Sequence, residues 1–428
     1  MKPVQVQNMK PMISSPLHHL PPFCPLKNSL TIRSSNGNPT HGSCKSFKRV
    51  FGSHIVWKSK CKLVRCEGSG GSIDDGFYMR KCVEVARKAV GCTSPNPMVG
   101  CVIVKSGQIV GQGFHPKAGQ PHAEVFALND AGKLAEDATA YVSLEPCNHY
   151  GRTPPCTEAL IRARVKRVVV GMVDPNPIVV SKGVERLRET GIDVTVGVEE
   201  KLCQKLNEAY IHKMLTGNPF VTLRYSLGFN GGILDSLGDG AKSSGGYYSQ
   251  LLQEYDAVVI SSNLLLKNST FPTSHEPGAK QPFLIIVAET WSSLVSLPAL
   301  PPQVASRSIV FAASDVIEDP NTKPNVLQQG TELVVFDQVS LYPILEYCTR
   351  MGMCSVFLDL RGNCGALYEL VEVGMENGLL QKVVMEVCSV WGGRKKSLAL
   401  GAQSKYFRLE DLQSRVFKES VVVEGYIR

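Results

Sequence analysis

Two series of short apolar runs, each run of strand length and each series interleaved with helical patterns, constrain this chain more than any other feature. The first series opens with a hairpin: GCVIV, the turn KSGQ, then IVGQGF, over residues 100–114. Before it, Met79, Cys82, Val83, Ala86, Ala89 and Val90 recur at helical spacing after Asp74 or Asp75, either of which can cap. After it, ATAYVSL (138–144), RVVVGM (167–172) and IDVTVGV (192–198) read as strands. The segment from Pro121, PPCTEALIRA (154–163) and KGVERLRET (182–190) read as helices between them. Strands alternating with helices after an opening hairpin predict an α/β domain, layered about a mixed sheet.

A connecting helix and turn are expected over 199–218, and a second series begins at PFVTLRYS (219–226). Its further strands are DAVVIS (256–261), PFLIIVA (282–288), SIVFAA (308–313), LVVF (333–336), SVFLDL (355–360), KVVMEV (382–387) and ESVVVEGY (419–426). SLYPILEYCTRMG and GALYELVEVGMENGLL are helices among them. One hydrophobic core rarely organises 428 residues, so each series is assigned its own domain. The expected organisation is a leader over 1–66, a flexible junction over 67–73, a first α/β domain over 74–215 and a second over 216–428. The longest apolar runs, such as FLIIVA (283–288), fall short of the roughly 18 residues that span a membrane, so no membrane association is expected.

The net charge of +8 belongs to the leader. Residues 1–66 hold eleven Lys or Arg and no Asp or Glu, while the rest of the chain has 35 basic against 38 acidic residues. An acid-free, basic, Ser-containing N-terminus without a compact apolar segment reads as an organelle transit peptide and not as a secretory signal. The alternative is a basic tail that stays attached and binds something acidic. Scarce arginine (Arg33, Arg49, Arg65) and a long Pro/Ser-rich leader point to the plastid stroma ahead of the mitochondrion. With the leader set aside no basic excess is left for nucleic acid, so neither RNA nor DNA is an expected partner. Fourteen cysteines are too sparse for a disulfide scaffold at this length. Cys82, Cys101 and Cys388 lie in apolar patterns and are expected as small buried hydrophobes.

The chemistry concentrates in PHAEVFAL (121–128) and EPCNHYGRTPPC (145–156). His122, Cys147 and Cys156 offer one imidazole and two thiolates, a set suited to Zn²⁺ that leaves a fourth position for water. Zinc lowers the pKa of such a water to near 7. Pro121 precedes His122 where a helix should begin. Thr153, Pro154 and Pro155 read as a cap and two helix-starting prolines, which places Cys156 in a first turn, where the helix's partial positive charge favours a thiolate. Cys147 follows a strand, on the loop at its end, where α/β sheets build sites. Glu124 lies two residues from His122, about 200° round a regular helix, but in the first turn its carboxylate can still reach a metal-site water and take its proton. A closed structural zinc site with His149 as fourth ligand is the competing arrangement. His-X-Glu followed by Pro-Cys matches the zinc-deaminase signature, except that eight residues and not two separate the cysteines.

That spacing, in HPKAGQPHAEVFAL with YVSLEPCNHYGRTPPC, resembles the deaminase domain of the bifunctional riboflavin-biosynthesis deaminase/reductase family; TSPNPMVGCVIV and GMVDPNP resemble two more of its motifs. The resemblance covers about residues 74–215. It implies a cytidine-deaminase-like three-layer α/β/α domain with one Zn²⁺ per chain. The implied reaction is hydrolytic deamination of 2,5-diamino-6-ribosylamino-4(3H)-pyrimidinone 5′-phosphate to the pyrimidinedione and ammonia. It further implies His122, Cys147 and Cys156 as ligands and Glu124 as proton shuttle. Asn96, His115, His149 and Arg152 fall in the motif loops as substrate contacts, or else as loop hydrogen-bonders. Asp174 and Asn176 fall in GMVDPNP as turn formers or further contacts.

The second domain resembles the family's NADPH-dependent reductase, a dihydrofolate-reductase-like α/β fold, with altered polar positions. LRYSLGFNGG carries Arg224 where the family has lysine and Asn230 where it has aspartate; KNSTFP replaces an Asp-Asp-Pro turn, and LRG (360–362) replaces Glu-X-Gly. The apolar strand pattern is kept, so the domain is expected to fold and not to use NADPH. This resembles the plant plastid form that keeps only deamination. A bifunctional enzyme and a nucleic-acid deaminase or RNA-binding zinc module are the alternatives. Homo-oligomerisation or docking to a separate reductase would complete the partners.

Overall fold

The computed structural model describes residues 74–150, 154–176, 180–268, 271–318, 324, 330–362, 365–392 and 407–428. The leader over 1–66, the junction over 67–73 and Arg152 lie outside the described residues. All described residues belong to one compact unit, Gly68–Arg428.

The first sheet has the order β2-β1-β3-β4-β5, with β1 Gly100–Lys105, β2 Gln108–Phe114, β3 Thr139–Val142, β4 Arg167–Val170 and β5 Asp193–Val196. β1 runs antiparallel to both β2 and β3, and β3, β4 and β5 are parallel, so the sheet is mixed as expected. Period-2 alternation divides β1 between two cores. Cys101 and Ile103 face one with Ala123, Ala127, Leu160 and Leu187; Val102 and Val104 face the other with Met79, Cys82 and Cys203. The helices α2 Ala123–Ala131, α3 Cys156–Arg162 and α4 Lys182–Glu189 therefore cover one face. On the other lie α1 Asp75–Ala86 and α5 Glu200–Leu206, followed by α6 Glu208–Thr216. This is a three-layer α/β/α arrangement. The capping expected of Asp74 or Asp75 is not made. Asp74 occupies the cap position without a side-chain bond, and Asp75 instead binds Arg167 and Tyr141.

One close approach sets the position of α2. Ala123, Ala127 and Ala131 recur every four residues, and they meet Gly111 and Gly113 of β2. A Cβ on Gly113 would stand 2.5 Å from the Ala123 carbonyl, and one on Gly111 would stand 2.4 Å from that of Ala127. Small residues on both sides let the helix that follows His122 lie directly on the sheet.

The second sheet has the order β11-β10-β9-β8-β12-β6-β13-β15-β14, with β7 paired to β6. Its strands are β6 Phe220–Gly228, β7 Ile233–Leu234, β8 Ala257–Ser261, β9 Phe283–Ala288, β10 Ser308–Ala313, β11 Glu332–Phe336, β12 Ser355–Asp359, β13 Lys382–Cys388, β14 Leu409–Phe417 and β15 Ser420–Ile427. All eight expected strands form. β14 was not expected: it pairs with β15 but is exposed along most of its length, so its sequence carries no apolar alternation. The helix α7, Tyr247–Glu254, was also unanticipated. No helix among the described residues is long and apolar enough to cross a membrane. Cys82 and Cys101 are fully buried and Cys388 nearly so, as their patterns predict.

Candidate active site

His122 ends the loop before α2 with extended backbone, φ −81° and ψ 169°, at the cap position. Its Nδ1 lies 3.5 Å from Cys147 Sγ and 3.3 Å from Cys156 Sγ. A tetrahedral zinc with Zn–S of about 2.3 Å and Zn–N of about 2.0 Å holds N and S about 3.5 Å apart, so the three donors fit that ion. Among the described residues no fourth His, Cys, Asp or Glu joins the cluster. His149, the candidate for a closed site, is exposed and outside it.

Two elements bring the cysteines together. Cys147 follows β3 through Glu145 and Pro146, while Cys156 is the first residue of α3. The Cys156 backbone N–H donates to Cys147 Sγ at 3.4 Å, and Thr157 N–H to the Cys147 carbonyl at 3.2 Å. Thr157 Oγ1 also donates to Asn148 Oδ1 at 2.9 Å, so the helix start clasps the loop. The capping differs in detail from the sequence expectation. Pro155 occupies the cap position and Pro154 lies before the helix, not in its first turn. The hydrogen bond from the Cys156 thiol, and then that of His122, draw the Cys147 thiol well below its usual range. The same shared proton and burial push Cys156 up. The bond to Cys147 raises His122.

Glu124 is 2% exposed, in the first turn of α2 directly after His122. The 200° separation from His122 does not apply, because His122 is extended and only Glu124 is helical. Burial first, and then the charge of Cys147, push Glu124 up to about 7.

Asn96 and His115 form the next layer. His115 Nδ1 lies 3.1 Å from the Pro121 carbonyl, which can only accept, so this nitrogen carries the proton. Nε2 then accepts from Asn96 Nδ2 at 3.0 Å. Burial lowers the His115 pKa, in keeping with a neutral ring, and the ring meets that of His122 edge-on at 5.2 Å. Asp174 Oδ1 accepts from Asn176 N–H at 2.9 Å and from Tyr210 OH at 3.4 Å, which makes it a turn former.

Glu145 was missed in the sequence. It is buried, and its carboxylate accepts four backbone N–H groups, those of Asp174, Ser181, Gly183 and Val184, at 2.9–3.1 Å. It thereby ties the loop leading to Cys147 to the start of α4. Glu145→Ala is expected to cost about 2–4 kcal/mol by orphaning these donors, read as a lower midpoint in chemical denaturation.

Residues 72–172 match the model of the cytidine and deoxycytidylate deaminase zinc-binding region. The chain is 50% identical to the chloroplastic riboflavin biosynthesis protein PYRD of Arabidopsis thaliana, over 99% of this chain and 98% of that one. This chain belongs to the riboflavin biosynthesis PYRD/RibD family. PYRD of Zea mays is 56% identical over 85% of this chain and 91% of its own. A solved Thermotoga maritima protein, titled a diaminohydroxyphosphoribosylaminopyrimidine deaminase/5-amino-6-(5-phosphoribosylamino)uracil reductase, aligns at TM-score 0.67 and 28% identity, covering 83% of this chain and 99% of that one.

In this PYRD/RibD member the second sheet carries a buried charge network. Arg224 stands on β6 between β12 and β13, directly opposite Asp359. Its Nη1 lies 3.4 Å from Asp359 Oδ1, and its Nη2 lies 2.7 Å from both Glu386 Oε2 and Tyr247 OH. Arg361 Nε binds both Asp359 oxygens at 3.0 Å, and Tyr248 OH donates to Asp359 at 2.6 Å. Arg224, Asp359 and Glu386 are fully buried.

Proposed function

We propose that the chain deaminates 2,5-diamino-6-ribosylamino-4(3H)-pyrimidinone 5′-phosphate to 5-amino-6-ribosylaminouracil 5′-phosphate, with His122, Cys147 and Cys156 holding one Zn²⁺. The observation that carries this is a three-donor cluster of tetrahedral dimensions beside a buried carboxylate. Zinc bound there makes water a nucleophile at neutral pH. Glu124 takes the proton from water as its oxygen adds to the amino-bearing ring carbon. Glu124 gives that proton to the ring nitrogen, then takes the remaining proton of the added hydroxyl and passes it to the amino group, so that the C–N bond breaks as the carbonyl forms and ammonia leaves. Asn96 and His115, fixed in one tautomeric arrangement, wall the site as substrate contacts. His149 and Arg152 are the further substrate contacts that the motif implies, Arg152 by pairing with the phosphate through its planar fork, while Asp174 shapes the turn at Asn176. The substrate is a small phosphorylated pyrimidine, and nucleic acid and membrane are not partners. We place the enzyme in the plastid stroma, after loss of the leader over 1–66, with the deaminase domain over 74–215 and the reductase-like domain over 216–428.

NADPH is not used in this reading. The Arg224 guanidinium is spent on Asp359, Glu386 and Tyr247 inside the protein, and a flat fork replaces the point charge of lysine. The zinc-loaded chain lacking 1–66 is expected to release one ammonia per substrate and to oxidise no NADPH when that cofactor is then added. Substrate-dependent loss of NADPH absorbance would make the enzyme bifunctional, and absence of ammonia would remove the deaminase reading.

A further inference from the structure

We propose that Asp256, beside the second sheet, is a positioning residue for deamination: it acts through Ser94 to hold the loop that carries Asn96. The proposal rests on the deaminase reading above. Ser94 Oγ donates to Asp256 Oδ2 at 2.8 Å. The same oxygen accepts the backbone N–H groups of Cys354 at 2.7 Å and Ser355 at 3.2 Å. One carboxylate oxygen thus fixes Ser94 to the entry of β12. The Cys354 thiol adds a bond to the Pro95 carbonyl at 3.7 Å. Upstream, Gly91 has φ +73°, and a Cβ there would stand 2.1 Å from the Gln253 carbonyl in α7, so the loop backbone is pressed onto the second half of the chain. Downstream, Asn207 side-chain atoms bind Met98 N–H and carbonyl at 2.8 and 2.9 Å.

The path from Asp256 to the metal cluster is short. Asn96 follows Ser94 by two residues, binds His115 Nε2 at 3.0 Å, and His115 rests against His122. Packing alone does not fix this loop, because Ser94, Asn96 and Asp256 all line a cleft of about 310 Å³. The hydrogen bond to Asp256 determines the angle at which Asn96 enters the site. Small displacements of such a group cost binding and orientation of the substrate. A reductase-like sheet that no longer serves NADPH thereby keeps a use, as a rigid template for the neighbouring site.

The test uses the zinc-loaded chain with the diaminopyrimidine phosphate. Ser94→Ala is expected to raise KM about five- to tenfold with kcat within about twofold, and with zinc content and thermal midpoint unchanged. Ser94→Thr, which keeps the hydroxyl, restores KM to within about twofold. Asp256→Ala raises KM similarly, and adding Ser94→Ala to it changes nothing more, since both remove one interaction. A structural role alone would lower kcat and zinc content together at constant KM. Amide exchange across residues 93–98 is read in parallel and rises in Ser94→Ala whether or not substrate turns over. Unaltered exchange, or a wild-type KM in Ser94→Ala, overturns the proposal; an inactive wild-type chain whose Ser94→Ala variant still exchanges faster overturns only the deaminase reading. If Asp256→Ala fails to fold, the Ser94 pair decides alone.

Discussion

Glu124→Ala binds zinc like the parent chain and loses deamination by about 10²–10⁴-fold. The reasoning is local. Glu124 contributes no donor to the cluster formed by His122, Cys147 and Cys156, so its removal leaves the metal's ligands in place. Its carboxylate is buried in the first turn of α2, two residues from His122, where it can move a proton between water and the ring. Removing it also relieves a buried carboxyl of its desolvation cost, so stability should hold or rise slightly. Zinc analysis, a melting curve and ammonia release on one preparation check all three. Turnover at the parent rate would show that the proton is moved by another group.

Cys156→Ala gives the complementary result: metal and turnover are lost together. Cys156 places its sulfur in the cluster from the first residue of α3, and its backbone N–H also steadies Cys147. The alanine variant keeps the backbone bond and loses the sulfur, leaving two ligands. Removing partners outside the ligand shell already weakens metal binding 10–100-fold in comparable sites, so loss of a ligand should weaken it by at least about 100-fold. The fold persists, because Leu160 of α3 is packed with Val168 and Leu187 in a core that does not include the sulfur. Together the two variants separate holding the ion from moving the proton. Equal zinc content in Cys156→Ala and the parent would remove Cys156 from the ligand set.

The parts of this molecule that were legible in the sequence are those whose cause is local. Continuous apolar runs mark the central strands because these face a core on both sides, and His122, Glu124 and Cys156 announce themselves at helix starts. β14 was illegible because its side chains meet solvent and its pairing with β15 is a backbone matter. Glu145 gave no signal because its donors, the N–H groups of Asp174, Ser181, Gly183 and Val184, lie about thirty to forty positions further along the chain. Arg224 stood out only as an arginine where the resembled family has lysine, and its neutralising partners Asp359 and Glu386 lie on flanking strands more than a hundred residues away. The link between Ser94 and Asp256 spans 162 positions and could be found only in three dimensions.

The central claim is that one imidazole and two sulfurs converge to hold an ion with an open side towards Glu124. Crystallography of the zinc-loaded chain, with anomalous data collected at the zinc edge, addresses it directly. The account predicts one peak per chain, bonded by His122, Cys147 and Cys156, with a non-protein oxygen completing the site within hydrogen-bond reach of Glu124. A peak elsewhere, or one whose fourth position is filled by a protein atom such as a nitrogen of His149, would contradict it.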